Sequence, residues 1–171
     1  AIFESAAELI KEGRRPYPEI MIPVVCEVKE LNDQLALAKK VYQEVLAKYK
    51  LKKIKHMFGT MIEIPRASLV AGKLAEVAEF FSYGTNDMTQ MGFGFSRDDI
   101  GGFLPDYIKK GILAEDPFQS IDQEGIGELI KIGIERGRSA NKGLEVGICG
   151  EHGGEPRSVE FCHNAGMDYV S

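Results

Sequence analysis

The stretch MFGTMIEIPRASLVAGKLAEVAEFFSYGTND, residues 57–87, decides the fold class. It opens on an apolar run over 57–64, continues behind Pro65 with helical spacing over 67–77, and closes on a second apolar run over 80–84. Short apolar runs of this kind are typical of strands that are buried on both faces. A strand, a helix and a second strand within about 30 residues form a βαβ unit, in which the two strands are parallel. The stretch therefore predicts an α/β fold with a parallel sheet.

The same alternation continues on both sides of this unit. The further predicted elements are a strand over 20–26, a helix over 28–50, a helix over 121–140, a strand over 144–149, a helix over 156–165 and a final strand beginning at 168. A complete (β/α)8 TIM barrel needs about 250 residues, so a shorter chain with about five βα units predicts an incomplete portion of such a barrel. An open parallel α/β sheet is the alternative, and the length of 171 residues alone favours it.

The composition argues against several classes of protein. Hydrophobic residues make up 44% of the chain and charged residues 27%, which is typical of soluble globular domains. The net charge of −5 argues against a nucleic-acid partner, which usually meets a basic surface. No apolar run approaches the roughly 20 residues that a membrane span needs. Three cysteines at irregular spacing predict free thiols in a reducing compartment, so we expect a cytoplasmic protein.

Residues 87–120 interrupt the regular alternation. The segment is rich in glycine, proline and charged residues, which predicts a long loop with short helical turns. Long irregular inserts in compact domains are often functional.

Polar groups follow three successive predicted strands. Glu63 lies near the end of the second strand, Asn86 and Asp87 follow the third, and Cys149 ends the fourth. Each of these is more commonly structural when it occurs alone, as a salt-bridged carboxylate, a turn or an inert thiol. In parallel α/β folds, however, ligand-binding groups lie at the carboxyl ends of the strands. We therefore expect these side chains to converge on one mouth.

The residue types at this mouth suit metal-assisted enolate chemistry. Two carboxylates, Glu63 and Asp87, are suitable ligands for Mg²⁺, which polarises a carbonyl group and stabilises a developing enolate. Backbone N–H groups of the YGTND turn are candidates to bind an oxyanion or a carboxylate, and the thiol is the candidate proton-transfer group. The candidate site residues are Glu63, Gly84, Thr85, Asn86, Asp87 and Cys149.

Three alternatives come from other classes of function. Cys149 and His152 have the spacing of a zinc-ligand pair, but Cys162 and His163 are adjacent, and adjacent ligands rarely close one tetrahedron. The segment GFGFSR, residues 92–97, has only the first two glycines of a nucleotide-binding G-x-G-x-x-G motif. A non-catalytic interaction domain is the third alternative.

Three motifs together carry a family resemblance. GTMIEIPRA at 59–67, YGTNDMTQ at 83–90 and GICGEHGGEP at 147–156, in this order, resemble the phosphoenolpyruvate (PEP)-binding barrel of the PEP-utilising enzymes. That family includes the pyruvate, phosphate dikinases, the phosphoenolpyruvate synthases and enzyme I of the sugar phosphotransferase system. The segment 92–122 is similar to an insert of the dikinases, which makes the other two members the alternatives. The resemblance covers essentially the whole chain.

The resemblance implies a role for each candidate residue. It implies that Glu63 and Asp87 are the Mg²⁺ ligands and that Cys149 is the acid/base that protonates the enolate of pyruvate. The residues that it implies at the pyruvate/PEP site are Gly84, Thr85, Asn86 and Asp87, together with Glu63.

The resemblance also implies a larger context. In the dikinases the barrel receives a phosphoryl group from a phosphohistidine on a swivelling domain and passes it to pyruvate, and the full enzyme converts ATP, phosphate and pyruvate into AMP, diphosphate and PEP. We therefore expect residues 1–171 to be a partial PEP/pyruvate-binding barrel domain, the C-terminal part of a larger ATP-binding chain that forms a homodimer. By itself this part is expected to be inactive.

Overall fold

In the computed structural model, which describes residues 1–171, five parallel strands form one sheet. The strands are β1 (Glu19–Ile22), β2 (Met57–Ile62), β3 (Phe80–Gly84), β4 (Glu145–Cys149) and β5 (Tyr169–Val170). The helices are α1 (Ile2–Lys11), α2 (Val28–Tyr49), α3 (Pro65–Leu69), α4 (Ala71–Ala75), α5 (Thr85–Phe93), α6 (Leu104–Lys109), α7 (Ile126–Ala140) and α8 (Pro156–Asn164).

The strands lie in sequence order across the sheet, so each strand pairs with the next one along the chain. This order lacks the reversal of a doubly wound sheet and is the order that a TIM barrel uses. The sheet is not closed, because β1 and β5 are both edges. The predicted α/β class is thus confirmed, and the sheet fits a portion of a barrel as well as the open parallel alternative.

The two faces of the sheet have different coverings. On the helix side, Phe81 and Tyr83 of β3 are fully buried and belong to the main hydrophobic core. Helix α7 lies directly on these rings because it presents glycines to them. A Cβ atom on Gly133 would lie 2.3 Å from the Tyr83 hydroxyl oxygen, and one on Gly137 would lie 2.9 Å from the Phe81 ring. The glycines of α7 therefore set the distance between this helix and the sheet.

The opposite face, which we call the inner face, is built from aromatic rings lying over glycines of the neighbouring strand. Phe80 is the register partner of Gly59, and its ring lies where a Cβ atom on that glycine would stand, 2.5 Å away. Tyr169 covers Gly147 in the same way on the same face, toward the β5 edge of the sheet. Cross-strand aromatic–glycine pairs of this kind pin the register of a sheet.

Two predicted boundaries were wrong near the first strand and the second βα unit. The strand predicted over 20–26 ends at Ile22, because Pro23 offers no N–H to the ladder and Val24 has a left-handed φ of +57°. The helix predicted over 67–77 is two short helices, α3 and α4, which meet at Val70 with a φ of −106°.

The prediction of a loop over 87–120 was only partly right. Helix α5 continues through Gly92 and ends at Phe93, and Gly94, with a φ of +67°, caps its carboxyl end. Beyond it, the segment forms a small apolar cluster of its own around Ile100, Leu104 and Phe118. We call residues 94–125 the insert.

None of the helices is both long enough and apolar enough to cross a membrane.

Replacing Gly147 by Ala should lower the free energy of unfolding by about 1–3 kcal/mol, because the new Cβ displaces a packed ring. Its Cβ would lie 2.3 Å from the Tyr169 ring. Urea unfolding measures the change. The control is Gly143→Ala, whose Cβ meets its nearest neighbour at an ordinary 3.6 Å. Equal unfolding midpoints for the two variants would contradict the packing described for the inner face.

Candidate active site at the carboxyl ends of the strands

The register of the sheet brings the predicted residues to one edge. Gly84, the last residue of β3, pairs directly with Cys149, the last residue of β4. Glu63 follows β2 by one residue, and α5 begins at Thr85 immediately after β3. Because the three strands are parallel, these groups all lie at their carboxyl ends. The convergence predicted from the sequence is therefore present.

Glu63 is a buried carboxylate, and two neighbours set its hydrogen bonding and its pKa. Its side chain is only 4% exposed, and Oε1 accepts a 2.6 Å hydrogen bond from the Val24 backbone N–H. Burial raises the pKa of Glu63, and the neighbouring carboxylate of Asp87 raises it further. Asp87 itself is exposed at the rim. Two carboxylates thus face each other at the mouth, one buried and one open to solvent.

Val24 adopts a backbone conformation that β-branched residues rarely adopt. Its φ of +57° turns the chain so that the N–H points at Glu63. Arg66, from the segment after β2, donates to the Cys26 carbonyl and to the Glu27 carboxylate on the same loop. The β1–α2 loop is therefore fixed from both sides by residues that follow β2.

Gly84 lies beneath the Glu63 side chain. A Cβ atom there would stand 2.8 Å from both Cβ and Oε2 of Glu63, and 2.7 Å from the sulfur of Met61. The buried carboxylate occupies its position only because residue 84 has no side chain. The functional value of this glycine is thus steric.

Asn86 is oriented by a pair of charged residues. Its Nδ2 group donates to the Glu151 carboxylate, which also accepts a 2.8 Å hydrogen bond from Arg97. The bond from Arg97, with that from Asn86, lowers the pKa of Glu151 to about 2. Because a carboxylate only accepts hydrogen bonds, the amide nitrogen faces Glu151 and the amide oxygen faces away. That oxygen is buried and has no partner in the protein.

His152 is fully buried between two oxygen partners. Nε2 lies 3.0 Å from the Pro117 carbonyl oxygen and Nδ1 lies 2.6 Å from Oγ1 of Thr85. The carbonyl can only accept, so Nε2 carries the proton. Burial lowers the pKa of His152 and keeps the ring neutral, so Nδ1 accepts from the Thr85 hydroxyl.

Cys149 lies partly exposed at the end of β4, and its thiol donates to the Tyr83 carbonyl oxygen at 3.7 Å. The zinc alternative finds no support, because both nitrogens of His152 are occupied and burial raises the pKa of Cys162 to about 11. No group of three or more His, Cys, Asp or Glu side chains is arranged to hold a metal ion.

The mouth is open rather than a closed cavity. Two concavities of about 620 Å³ lie on the helices, one beside α8 and the other between α4 and α7. A concavity of about 420 Å³ borders the site and is lined by residues that include Arg97, Phe118 and Glu151. The chemistry of the site therefore depends on side-chain convergence rather than on enclosure.

Comparison with known proteins identifies the family. The PEP-binding domain of the PEP-utilising enzymes matches residues 1–171, which is the whole chain. The chain belongs to this family.

Relatives of this PEP-binding domain include plant pyruvate, phosphate dikinases. The chain is 56% identical over 171 residues to pyruvate, phosphate dikinase 2 of Zea mays and 53% identical to pyruvate, phosphate dikinase 2 of Oryza sativa subsp. japonica. It is 55% identical to the chloroplastic pyruvate, phosphate dikinase 1 of Arabidopsis thaliana. All of the chain is matched in each case, but it spans only 18–19% of the length of these relatives.

Sequence reasoning overlooked several residues that shape the site of this PEP-binding domain. Glu151 and His152 lie in the quoted CGEHGGEP motif, but only the His spacing was weighed, as a zinc ligand. Arg97 was read as part of an incomplete glycine motif. Val24 gave no signal, since nothing in an apolar run reveals a left-handed φ. The clue available was the density of polar residues immediately after Cys149.

Replacing Gly84 by Ala should displace the Glu63 carboxylate, because the added Cβ would stand 2.8 Å from it. We expect a loss of stability of about 1–3 kcal/mol and weaker binding of divalent cations. Urea unfolding and Mn²⁺ titration measure the two effects. Gly102→Ala is the matched control, since that Cβ would meet nothing within 4 Å. If both variants behave like the parent chain, Gly84 has no steric role.

The lowered pKa of His152 predicts a pH dependence of stability. Below the pKa of an unfolded histidine, His152 binds a proton in the unfolded chain but stays neutral in the folded chain. The free energy of unfolding therefore falls as the pH is lowered from about 7 towards 5. His152→Gln removes this contribution and should show a shallower decline. Urea midpoints across this range measure the difference, and the titration of Glu63 is common to both proteins. Parallel profiles would show that His152 does not titrate differently on folding.

Proposed function

We propose that this chain binds PEP and pyruvate at the carboxyl ends of β2, β3 and β4, as the PEP/pyruvate half-site of a pyruvate, phosphate dikinase. The observation that carries the proposal is the convergence of the Glu63 and Asp87 carboxylates beside the Cys149 thiol at the start of α5. Membership of the PEP-binding family and the high identity to dikinases support it.

The residues present fit a divalent cation. Burial raises the pKa of Glu63, and the neighbouring Asp87 carboxylate raises it further, so a bound cation would offset the cost of the charged Glu63 side chain. The buried, unpartnered amide oxygen of Asn86 is a further acceptor directed away from Glu151. Carboxylate and amide oxygens are the ligands of hard cations, so we propose Glu63 and Asp87 as Mg²⁺ ligands. When bound, Mg²⁺ polarises the carbonyl oxygen of pyruvate and offsets the charge of its enolate.

The remaining residues divide between binding and proton transfer. Gly84 precedes α5, and Thr85 and Asn86 open it; the backbone N–H groups at this helix start favour the carboxylate of the substrate. Cys149 exchanges a proton with the methyl carbon of pyruvate. In the direction of pyruvate, the thiol proton goes to that carbon; in the direction of PEP, the thiolate removes it, the enolate oxygen forms a bond to phosphorus, and the phosphorus–nitrogen bond of a phosphohistidine breaks.

The phosphohistidine belongs to a swivelling domain that we propose as the partner of this site within a longer, ATP-binding chain. We further propose that residues 1–171 are the C-terminal part of that chain and that it works as a homodimer in the cytoplasm. Chloroplastic forms are found among the relatives from Zea mays and Arabidopsis thaliana.

The insert supports the dikinase assignment over a synthase or an enzyme I. It packs around its own apolar cluster and contacts the motif after β4. Ser120 donates to Glu155 at 3.2 Å, and the Ile121 N–H donates to Ser158 at 3.0 Å. The segment that carries the dikinase resemblance is therefore joined to the proposed site.

The experiment is a titration of the chain with Mn²⁺, as a spectroscopic substitute for Mg²⁺, with and without oxalate, which mimics the enolate of pyruvate. We expect oxalate to bind only with the metal, and both Glu63→Gln and Asp87→Asn to weaken metal binding more than about tenfold, or ~1.4 kcal/mol. Glu128→Gln, at an exposed ion pair on α7, is the control. Unchanged binding in the Glu63 and Asp87 variants would exclude this metal site.

Catalysis is tested in a chimera, in which this chain replaces the matching segment of the Zea mays enzyme. Cys149→Ala should abolish exchange of the methyl protons of pyruvate while leaving Mn²⁺–oxalate binding intact. Proton exchange that survives the substitution would remove Cys149 from the mechanism. A folded chimera that neither binds oxalate nor turns over PEP would overturn the proposed function itself.

A further inference from the structure

We infer that His152 is a positioning residue, which couples the insert to the substrate-binding turn at the start of α5. One ring nitrogen holds Thr85 of that turn and the other holds Pro117 of the insert. The inference rests on the proposed function, because it assigns His152 a role in holding the proposed PEP/pyruvate site.

The geometry makes His152 the junction of three segments. The residue belongs to the short turn Glu151–Gly154 after β4, its Nδ1 partner follows β3, and its Nε2 partner lies in the insert. All of its polar atoms are used, and the side chain is completely buried. A histidine in this position cannot touch a substrate, so it is not a catalytic residue.

Thr85 transmits the constraint to the site. It is completely buried, and it is the first residue of α5, between Gly84 and Asn86. Gly84 lies against Glu63, and Asp87 follows one residue after Asn86. A shift of the Thr85 backbone therefore moves both the surface beneath Glu63 and the position of Asp87.

A second connection runs along the exposed side of the same turn. Arg97 of the insert bonds to Glu151, which in turn accepts from Asn86, and the Arg97 guanidinium lies 5.8 Å from the centre of the Phe118 ring. Phe118 is the neighbour of Pro117. An ion pair open to solvent contributes little to stability because water and salt screen it, whereas a buried polar group that loses its partner keeps the full cost of its desolvation. The buried His152 connection is therefore the stronger of the two.

A packing role and a positioning role predict different variants to be tolerated. Leucine fills the space of the imidazole but makes neither hydrogen bond. It would therefore be tolerated if His152 had only a packing role. The terminal amide of glutamine presents an NH₂ group that donates and a carbonyl oxygen that accepts, which are the two kinds of hydrogen bond that the neutral imidazole makes. Positioning therefore predicts that His152→Gln is tolerated and that His152→Leu is not.

The experiment measures Mn²⁺-dependent oxalate binding and the unfolding midpoint for the chain, and KM and kcat for PEP in the chimera. We expect His152→Gln to bind oxalate within about threefold of the parent, and His152→Leu to lose more than about tenfold and to raise KM more than it lowers kcat. His163→Leu, at an exposed position on α8, is the control.

A double-mutant cycle tests the path through Thr85. Thr85→Val alone and His152→Leu alone should each weaken oxalate binding, and the double variant should be little worse than His152→Leu, because that substitution already removes the hydrogen bond that Thr85→Val removes. Additive losses would show that the two residues act independently and would overturn the inference.

Nitrogen NMR of the imidazole keeps the inference testable if His152→Leu does not fold. We expect a neutral ring protonated on Nε2, and a changed Nδ1 signal in Thr85→Val. A ring protonated on Nδ1 would overturn the inference, as would His152→Leu that binds oxalate like the parent while losing only stability. If neither the parent chain nor the chimera binds oxalate, the proposed function is wrong, and the positioning role, which depends on it, is wrong as well.

Discussion

The contact between the Glu63 carboxylate and the bare backbone of Gly84 is the constraint on which the rest of the site depends. It requires β2 and β3 to be parallel and in their observed register, since a shift by one residue would turn Glu63 to the helix side. It also requires glycine at the end of β3, where any side chain would overlap the carboxylate. The aromatic–glycine pairs deeper in the sheet maintain that register. The same register therefore determines both the packing of the inner face and the position of Glu63 at the mouth.

The electrostatics of the mouth are arranged around unsatisfied charge. Glu63 is buried beside another carboxylate, and the amide oxygen of Asn86 is buried without a partner. Both features cost free energy in the isolated protein, and both are offset when a cation or a donor group arrives. The surrounding residues, by contrast, are fully paired: Glu151 has two donors and His152 has two partners. Residues whose hydrogen bonds are satisfied therefore lie around two groups, the Glu63 carboxylate and the Asn86 amide oxygen, that a cation or a donor would stabilise.

The sequence predicted the parts of this arrangement that follow from periodicity and motif. The apolar runs located β3 to the residue, and the position of polar residues after the strands located Glu63, Asp87 and Cys149 at one edge. Contacts between residues that are far apart in the sequence could not be predicted from periodicity and motifs. The bond between His152 and Pro117 spans 35 residues and depends on how the insert folds over the site, which no local pattern encodes. Gly92 lies inside α5 and Gly94 caps it, although both fall in the predicted loop, because a glycine within or at the end of a helix looks like a loop glycine in sequence.

The aromatic–glycine pairs of the inner face also give the site a floor. Tyr169 covers Gly147, which stands only two residues before Cys149, a strand rise of about 7 Å, and Phe80 covers Gly59 further down. A molecule that approaches from the carboxyl ends therefore meets a hydrophobic surface within the depth of one small organic acid. In the site that we propose, this surface limits how deep a ligand can lie, so a longer ligand would have to lie across the mouth instead of down the axis of the sheet.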